Sequence, residues 1–438
     1  MTAPMPAPKT TPGARTIAVD VLRRVERDQA FLAAALHAEL ASWPTLDPRE
    51  ASLATTLAFG TLRVRAWLDA RLNRYAKKGV DGFPPKVRGH LRVAAYQLAF
   101  LSRVPASAAV NEAVRAAKRE GGEPIARAVN AILRRVATDF SAAPSSFADA
   151  VWESLPEGFR SRLPTDICAA LGSDDDTPYT GLRLRRGLDR ARIVEELRAE
   201  RPHGSVKLGE ASPLAVLVRR SGLVEDLACV RDGRAVVQEE GSQVVGLALG
   251  AQRGERVLDA CAGRGHKTSL LAEEVGPSGV VDAADLHAKK LEVARRECDA
   301  LGFSLGTTAA VDWSVGAGTF SAERYDRVLV DAPCSGSGTF LRRPEIALRF
   351  SEAKLQELVA LQRAIAVRCA DLVRPGGVMV VATCSLFPEE GSDLAAFLRA
   401  ALPLEPTDLA VLGTPCATLS PARNGTEGYS LSAFRRRA

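Results

Sequence analysis

The stretch VLDACAGRGHKTSLLAEEV, residues 257 to 275, decides the fold, because an apolar run passes through a glycine turn into a helix. Gly263 and Gly265 permit a tight turn, and a helix is predicted to begin near Lys267. Further apolar runs alternate with segments of helical periodicity. This alternation predicts a parallel sheet with helices on both faces and ligands at the carboxyl ends of its strands. The other predicted strands cover 279–284, 327–331 and 377–382, and the longer predicted helices cover 287–300 and 351–372.

The sequence before this sheet divides into a helical half and a small mixed region. A length of 438 residues suggests two to four domains. Helical periodicity from about 14 to 138 predicts an all-helical domain, and residues of about 150 to 235 predict a small α+β module. Several arginines of these regions are candidates for phosphate contacts, although ordinary solvated surfaces also explain them: Arg63, Arg65, Arg115, Arg134, Arg135, Arg183, Arg185 and Arg186.

Composition is typical of a soluble globular protein and leaves the partner open. The net charge of +6 suits an anionic partner without requiring one. Eight cysteines without a C-x-x-C pair, and only five histidines, fit neither a disulfide framework nor a zinc site. The Pro- and Thr-rich start lacks a signal-peptide pattern, and no apolar run approaches the roughly 20 residues that span a bilayer. We therefore expect a cytoplasmic protein without a metal site. We also expect a monomer, although composition does not fix the oligomeric state.

Acidic residues follow two further strands of the predicted sheet. Asp285 lies about 20 residues beyond the glycine turn, where a carboxylate can bind ribose hydroxyls. Asp312, in AAVDWS, follows a third strand and is available to accept from an adenine amino group. Either side chain alone could instead cap a helix or stabilise a turn. Together with the glycine turn, the two carboxylates predict a site for a nucleotide-like cofactor.

Two cysteines follow the last two predicted parallel strands. Cys334 lies in VLVDAPCSGSG (328–338), and Cys384 lies in VMVVATCSLFPEEG (378–391). Because both strands end at the same sheet edge, 50 residues of separation (384 − 334) can bring the thiols side by side. A nucleophilic cysteine needs its thiolate, which a helix opening at Pro388 would favour only if its N-terminus pointed at the sulfur. The alternative interpretation is that both cysteines are small buried hydrophobic residues.

The motifs DACAGRGHKT, DAPCSGSG, TCSLFPEEG and VVQEEGSQ resemble those of the nucleolar-protein/Sun family of S-adenosylmethionine-dependent RNA 5-methylcytosine methyltransferases. RTIAVDVLRRV, LAFGTLR, VPASAAVNEAVRAAKR and VNAILRR resemble the NusB-like domain of bacterial members that modify ribosomal RNA. The resemblance is weakest from 140 to 235. It implies an all-α NusB-like RNA-binding domain at 14–140, a small α+β RNA-binding module at 141–235, and an α/β Rossmann-like class I methyltransferase domain at 236–438.

The resemblance also implies roles for the matched residues. Cys384 would add to C6 of a cytosine, Cys334 would help to release the enzyme after methylation, and Asp331 would hold the base beside the cofactor. The adduct makes C5 nucleophilic enough to accept a methyl group. The implied substrate is an unstacked cytosine of 16S ribosomal RNA before or early in small-subunit assembly. The residues that would hold S-adenosylmethionine are Cys261, Ala262, Gly263, Arg264, Gly265, His266, Lys267, Asp285, Asp312 and Asp331.

Four positions depart from the usual family motifs. Arg264 and His266 stand in a motif that is usually Ala-Pro-Gly-Gly-Lys-Thr, and they add bulk and charge near the cofactor. Gly391 replaces an Asn, and Arg185 stands where an Asn is common. Other functions therefore stay open: methylation of transfer RNA or another RNA, or a non-catalytic RNA-binding assembly or antitermination factor. A nicotinamide-dependent oxidoreductase would leave the two cysteines unexplained.

Overall fold

The computed structural model describes residues 11–143, 145–172, 179–219 and 223–437 and divides into two units. The Pro- and Thr-rich start lies, for residues 1–10, outside the described residues. The first unit comprises the described parts of Met1–Arg160, Leu171–Asp176 and Phe340–Arg349. The second unit comprises the described parts of Ser161–Ala170, Thr177–Thr339 and Phe350–Ala438.

Helices occupy the described residues before Thr180, and strands alternate with helices after it. The α-helices are α1 (Ala14–Arg27), α2 (Leu32–Ala41), α3 (Pro48–Arg63), α4 (Arg65–Asn73), α5 (Pro85–Phe100), α6 (Ala106–Ala142), α7 (Phe147–Ser154), α8 (Glu157–Arg160), α9 (Arg190–Glu200), α10 (Ala228–Arg231), α11 (Glu240–Ala248), α12 (His266–Val275), α13 (Ala288–Ala300), α14 (Glu345–Leu348), α15 (Glu352–Ala370), α16 (Ser392–Ala401) and α17 (Pro421–Asn424). The strands are β1 (Thr180–Leu184), β2 (Ser205–Leu208), β3 (Ala215–Arg219), β4 (Ala235–Val237), β5 (Arg256–Asp259), β6 (Val280–Asp285), β7 (Thr308–Ala310), β8 (Tyr325–Asp331), β9 (Val373–Thr383), β10 (Leu404–Pro406), β11 (Cys416–Leu419) and β12 (Tyr429–Arg436).

The first unit is helical, as the periodicity predicted. One face of α1 is buried against α3 and α5, and it includes Ile17, Val21 and Val25. These side chains recur three or four residues apart and therefore share one side of the helix. The long helix α6 is interrupted at Gly122, where φ is 78°. Its two stretches are therefore separate helical segments joined by a kink.

A segment from the carboxy-terminal half of the sequence completes the first unit. Within Phe340–Arg349, the buried carboxylate of Glu345 accepts from the backbone N–H of Leu32 at 3.1 Å. The guanidinium of Arg63 donates to the carbonyl oxygen of Leu341 at 3.0 Å. Arg63 was a candidate for a phosphate contact. In the structure, its guanidinium instead helps to hold this segment within the unit.

The second unit begins with a small antiparallel sheet in the order β2-β3-β1-β4. Helix α9 buries Ile193 and Leu197 together with Leu182 and Val216 of the sheet. The alternating run at 181–187 therefore forms a strand followed by a helix, as predicted. Its apolar side chains face the small core.

The arginines of β1 and its following turn do not form the exposed basic surface that their sequence pattern suggested. Arg183 is fully buried, and its guanidinium lies 2.9 Å from Oε2 of Glu273 in α12. Arg185 donates to Oε1 of the same carboxylate at 3.0 Å, and Arg186 pairs with Glu274. A buried guanidinium requires a charged partner. These ion pairs therefore attach the small sheet to α12.

The large sheet has the order β10-β12-β9-β8-β5-β6-β7, with β11 paired to β12. The five strands from β9 to β7 are parallel, as predicted, whereas β10, β11 and β12 pair antiparallel, which the prediction missed. Alternate residues of β8 face opposite sides: Val328 and Val330 join the core under α15 and α16, and Leu329 joins the core under α11 and α12. The carboxyl end of β5, between β6 and β8, is the position where ligands bind in such sheets.

The described helices differ from membrane-spanning helices. None of the helices in the described ranges combines the length and the apolar composition required to cross a membrane. Within the same ranges, no group of three or more His, Cys, Asp and Glu side chains is arranged to hold a metal ion.

Candidate active site

The two cysteines that follow β8 and β9 lie in contact. Strands β8 and β9 are parallel neighbours, with Asp331 paired to Ala382. Cys334 lies three residues beyond the end of β8, and Cys384 directly follows β9. Their Sγ atoms are 3.3 Å apart, and both side chains are half-buried. The predicted adjacency of the thiols is therefore present in the structure, and neither cysteine is fully buried core.

The surroundings of Cys334 keep its thiol protonated. The pKa of Cys334 is raised well above its ordinary value by the hydrogen bond to Cys384. Burial and the negative charges of Cys384 and Glu390 raise this pKa further. A thiol that stays protonated can donate its S–H, and the Cys384 sulfur lies within reach of the Cys334 thiol.

A lysine supplies positive charge at the same place. The Nζ of Lys267 lies 2.8 Å from Oδ2 of Asp331. Burial alone would lower the pKa of Lys267, but the charges of Asp331, Asp259 and Cys384 outweigh burial and raise it. The ammonium therefore stays charged within the field of the Cys384 sulfur. The sequence predicted Lys267 only as a cofactor ligand and did not foresee this relationship.

The helix predicted to open at Pro388 is not an α-helix at that point. Pro388–Glu390 forms a single 3-10 turn, and α16 begins only at Ser392. A three-residue turn has little dipole to offer, whereas the charge of Lys267 interacts with the Cys384 sulfur. Gly391 is closely packed, because an added Cβ would lie 2.7 Å from Oγ of Ser430. A larger residue at this position would therefore require Ser430 to move.

The glycine turn lies beside Asp285. Gly263 and Gly265 have φ values of 56° and 91°, the left-handed region that favours glycine. The backbone N–H of Gly263 donates to Oδ2 of Asp285 at 3.0 Å. A Cβ added at Gly263 would meet no atom within 4 Å, so this side of the turn is open to a ligand. The structure thus brings two of the predicted cofactor residues together at the ends of β5 and β6.

The remaining predicted cofactor residues differ in their surroundings. Cys261 is half-buried and Ala262 is buried, so the start of the glycine turn packs against the protein interior. Arg264 and His266 line a surface cavity with residues of α10, β4 and α13, and that cavity includes neither Asp285 nor Asp331. The bulk of these two unusual side chains is therefore directed into a different cavity. The exposed carboxylate of Asp312 accepts from the backbone N–H of Ser314 at 3.0 Å.

A buried aspartate in the glycine-turn motif was not predicted as a functional residue. Asp259 ends β5, and Thr268 donates its hydroxyl to Oδ2 at 2.8 Å. Oδ1 has no hydrogen-bond partner among the described residues. Burial raises the pKa of Asp259 to about 7. An acidic residue at the end of an apolar strand was the available sequence signal.

Arg185, the remaining departure, has a structural role. Its guanidinium donates to the carbonyl oxygen of Leu301 at 3.1 Å and lies over the ring of Phe303, 4.7 Å from the centroid. With its bond to Glu273, these contacts hold the side chain against the large-sheet half of the unit. The guanidinium is therefore engaged within the protein.

Two family profiles match most of the chain. The profile described as 16S rRNA methyltransferase RsmB/F matches residues 246–434, and the profile of the NusB family matches residues 12–138. The first match contains the glycine turn and both cysteines, and the second lies within the helical unit. The predicted family resemblance and multi-domain fold class are therefore confirmed.

Individual proteins extend the similarity to nearly the full chain. The chain is 30% identical over 404 residues to the Bacillus subtilis protein named "Probable ribosomal RNA small subunit methyltransferase B", covering 90% of this chain and 89% of that protein. It is 35% identical over 455 residues to Rv1407 of Mycobacterium tuberculosis, covering 97% and 96%. The crystal structure of PH0851 covers 98% of this chain and 100% of that chain, with a TM-score of 0.76 and 20% identity, which is a likeness of fold.

Proposed function

Because the chain belongs to the RsmB/F family of 16S rRNA methyltransferases and is therefore an RNA methyltransferase, we propose that it methylates C5 of a cytosine in small-subunit ribosomal RNA. The methyl donor in this proposal is S-adenosylmethionine. The reaction proceeds through a covalent bond between Cys384 and C6 of the base. Cys334 assists the release of the methylated product.

The 3.3 Å contact between the Cys334 and Cys384 sulfur atoms carries this proposal. A single nucleophilic cysteine would form an adduct without a dedicated partner for its release. In this protein two thiols stand together, and the lysine of a lysine-aspartate ion pair interacts electrostatically with Cys384. That arrangement suits covalent catalysis, in which one difficult step is divided into two easier ones.

In the first step the Cys384 thiolate adds to C6 of the cytosine. The sulfur forms the new bond to C6, and the electron pair of the C5–C6 double bond shifts to C5, delocalised through C4 to N3, so that C5 becomes nucleophilic. Asp331 holds the base by accepting from its exocyclic amino group, and Lys267 stabilises the thiolate before it reacts. When bound, S-adenosylmethionine supplies the electrophilic methyl group that this activated C5 accepts.

In the second step the adduct loses the proton at C5 and expels Cys384. The charge of the Cys384 thiolate helps to keep Cys334 protonated. That charge disappears when the sulfur bonds to C6, and the pKa of Cys334 falls. Cys334 can then give its proton to solvent and, as a thiolate, accept the C5 proton; the C5–H electron pair restores the C5–C6 double bond, while the C6–S bond breaks and returns its electron pair to Cys384. Formation of the adduct thus prepares the group that resolves it.

The residues at the ends of β5 and β6 fit the proposed cofactor. The open side of Gly263 allows close approach of a ligand to the backbone. In this proposal Asp285 holds the ribose hydroxyls, Asp312 faces the adenine amino group, and the run from Cys261 to Lys267 surrounds the methionine portion. Asp331 ends β8, which lies between β5 and β9 in the sheet, and Lys267 is its ion-pair partner.

The NusB-family match and the names of relatives support ribosomal RNA as the substrate. The target base must leave its stack to expose both faces of C5 and C6, so the substrate proposed is 16S rRNA before or early in assembly. The protein acts in this proposal as a cytoplasmic monomer. Binding to the RNA backbone weakens as salt concentration rises.

Methyl acceptance by defined RNAs tests the proposal. Labelled S-adenosylmethionine is supplied with unmodified small-subunit rRNA or unmodified transfer RNA, and the product nucleoside is mapped. The expected result is 5-methylcytosine at one position of the rRNA. Acceptance by transfer RNA alone would replace the substrate, and binding of RNA without measurable S-adenosylmethionine binding would instead indicate an assembly or antitermination factor.

A further inference from the structure

The turn that follows Cys384 carries a buried carboxylate whose partners belong to the Cys334 loop. Glu390 is 1% exposed. Its Oε1 accepts from the backbone N–H of Ser335 at 2.8 Å, and its Oε2 accepts from the hydroxyl of the same serine. Ser335 directly follows Cys334. The Glu390 carboxylate, in the loop that follows Cys384, therefore binds the other loop at the residue next to Cys334.

Gln362 of α15 binds both Glu390 and the Cys334 loop. Its Nε2 donates to Oε1 of Glu390 at 2.9 Å and to the carbonyl oxygen of Pro333 at 3.0 Å. The residues on both sides of Cys334 are thus fixed, Pro333 by Gln362 and Ser335 by Glu390. A loop held at both neighbours has little freedom to move its central side chain.

Glu390 also contacts the end of β9. The hydroxyl of Thr383, directly before Cys384, donates to the carbonyl oxygen of Glu390 at 2.9 Å. The hydroxyls of Ser337 and Ser385 lie 2.8 Å apart, and the backbone N–H of Gly338 donates to the carbonyl oxygen of Cys384 at 3.0 Å. These bonds join the Cys334 loop to the Cys384 loop. Glu390 contacts both, because its carboxylate binds Ser335 and its carbonyl oxygen binds Thr383.

Burying a carboxylate is costly unless hydrogen bonds compensate it. Three donor groups on two residues satisfy Glu390, and all belong to the Cys334 loop or to Gln362. A residue needed only to close the 3-10 turn could have been apolar. The burial of this carboxylate is explained if its hydrogen bonds fix the position of the Cys334 side chain.

We propose that Glu390 is a positioning residue that holds the Cys334 loop in register with Cys384 and thereby sets the rate at which the covalent RNA adduct is released. This inference rests on the proposed two-cysteine reaction. Glu390 itself touches no reacting atom. Its hydrogen bonds act on the Cys334 loop through Ser335 and Gln362, and its charge also acts on the Cys334 thiol.

The test uses two variants at position 390, one that changes the length of the side chain and one that removes its charge. Glu390→Asp keeps the charge but is shorter by one methylene and cannot reach both Ser335 and Gln362, whereas Glu390→Gln keeps the length and an acceptor oxygen. The matched control is Glu389→Gln, because Glu389 pairs with Arg162 at 2.7 Å and lies outside this network. Each variant is incubated with S-adenosylmethionine and unmodified small-subunit rRNA, and the denaturation-resistant protein–RNA adduct is quantified.

The expected result is an adduct that resolves about tenfold more slowly in Glu390→Asp than in the wild type, because a misplaced group acts slowly. Glu390→Gln should accumulate less adduct than Glu390→Asp, and Glu389→Gln should match the wild type. The double variant Glu390→Asp/Cys334→Ala should accumulate no more adduct than Cys334→Ala alone. A loss of stability without a role in release would not give this order.

Failure of the inference is distinguishable from failure of the proposed reaction. If Cys334→Ala accumulates adduct while Glu390→Asp releases it at the wild-type rate, Glu390 does not position Cys334 and the reaction stands. If Cys334→Ala accumulates no adduct, both are overturned. Should Glu390→Asp not fold, Ser335→Ala removes one donor from the other side of the same contact. It is then expected to slow release, and wild-type release by Ser335→Ala would overturn the inference.

Discussion

The Nζ of Lys267 lies 2.8 Å from Oδ2 of Asp331, and the charge of the Cys384 sulfur contributes to the raised pKa of this lysine. Asp331 ends β8, whereas Lys267 lies in the first turn of α12, so the contact joins the glycine turn to the cysteine loops. The same two residues therefore connect the proposed cofactor region to the proposed nucleophile.

Replacement of Lys267 by methionine should reduce methyl transfer by about 100-fold. The substitution removes the charge that stabilises the Cys384 thiolate and leaves the carboxylate of Asp331 without its cation, and a preorganised charge is worth about this much in an enclosed site. Initial rates of labelled methyl transfer to rRNA measure the effect. The control is Lys354→Met, an exposed lysine in α15. Equal rates for Lys267→Met and the control would contradict the assigned role.

Cys384→Ala should make Cys334 react with iodoacetamide at lower pH than in the wild type. The hydrogen bond to Cys384 and the Cys384 charge raise the pKa of Cys334, so their removal lowers that pKa and increases the thiolate fraction at a given pH. Alkylation rates between about pH 6 and 9 are followed by peptide mass spectrometry. The exposed Cys416 serves as the internal reference. An unchanged pH profile for Cys334 would show that the two thiols are not coupled.

Asp259→Asn should gain stability relative to the wild type as pH rises. The folded-state pKa of Asp259 is about 7 against 3.8 for the ordinary side chain, so the folded state binds more protons across this interval. Wild-type stability at this site is therefore fully present below pH 3.8 and is lost as pH rises towards 7. The neutral amide lacks that loss, which amounts to at most about 4 kcal/mol.

Urea denaturation at acidic and alkaline pH measures the difference in unfolding free energy between Asp259→Asn and the wild type. The exposed Asp393→Asn is the control and should show no comparable trend. A difference for Asp259→Asn that is independent of pH would contradict a raised pKa for the buried carboxyl.

Arg183→Met should destabilise the second unit by about 3 to 5 kcal/mol, because it leaves the buried Glu273 carboxylate with fewer positive partners. Arg192→Met should change the unfolding free energy by less than about 0.5 kcal/mol, since Arg192 forms an exposed pair with Glu196. Denaturant unfolding of both variants provides the comparison. Equal stability of the two variants would indicate that the buried ion pair does not attach β1 to α12.

Much of the fold could be predicted because the parallel sheet has a simple pattern. Apolar runs with helices between them located β5, β6, β8 and β9, and strands that run in parallel must end at one edge. That constraint alone brought Cys334 and Cys384 near each other. Of the antiparallel strands after α16, β10 and β11 were missed because they are short and partly exposed. The strand β12 is longer and largely buried, but like them it lacks the alternation with long helices.

The partners of single side chains could not be predicted, because they lie far away in sequence. Arg183 alternates with leucines in the sequence, a pattern that predicts an exposed side chain. It is buried because its partner Glu273 lies on α12, 90 residues later in the sequence. In the same way, nothing near Glu390 indicates that its carboxylate binds Ser335. The segment Phe340–Arg349 belongs to the helical unit although its neighbours in sequence belong to the other.

The most direct measurement of the central claim is the amount of covalent RNA adduct formed by the wild type, Cys384→Ala and Cys334→Ala, with labelled methyl transfer measured in parallel. The proposed roles predict turnover to 5-methylcytosine by the wild type and neither product nor adduct with Cys384→Ala. They also predict a methylated adduct that accumulates with Cys334→Ala. Full activity of Cys384→Ala, or release of product by Cys334→Ala at the wild-type rate, would contradict the two-cysteine reaction.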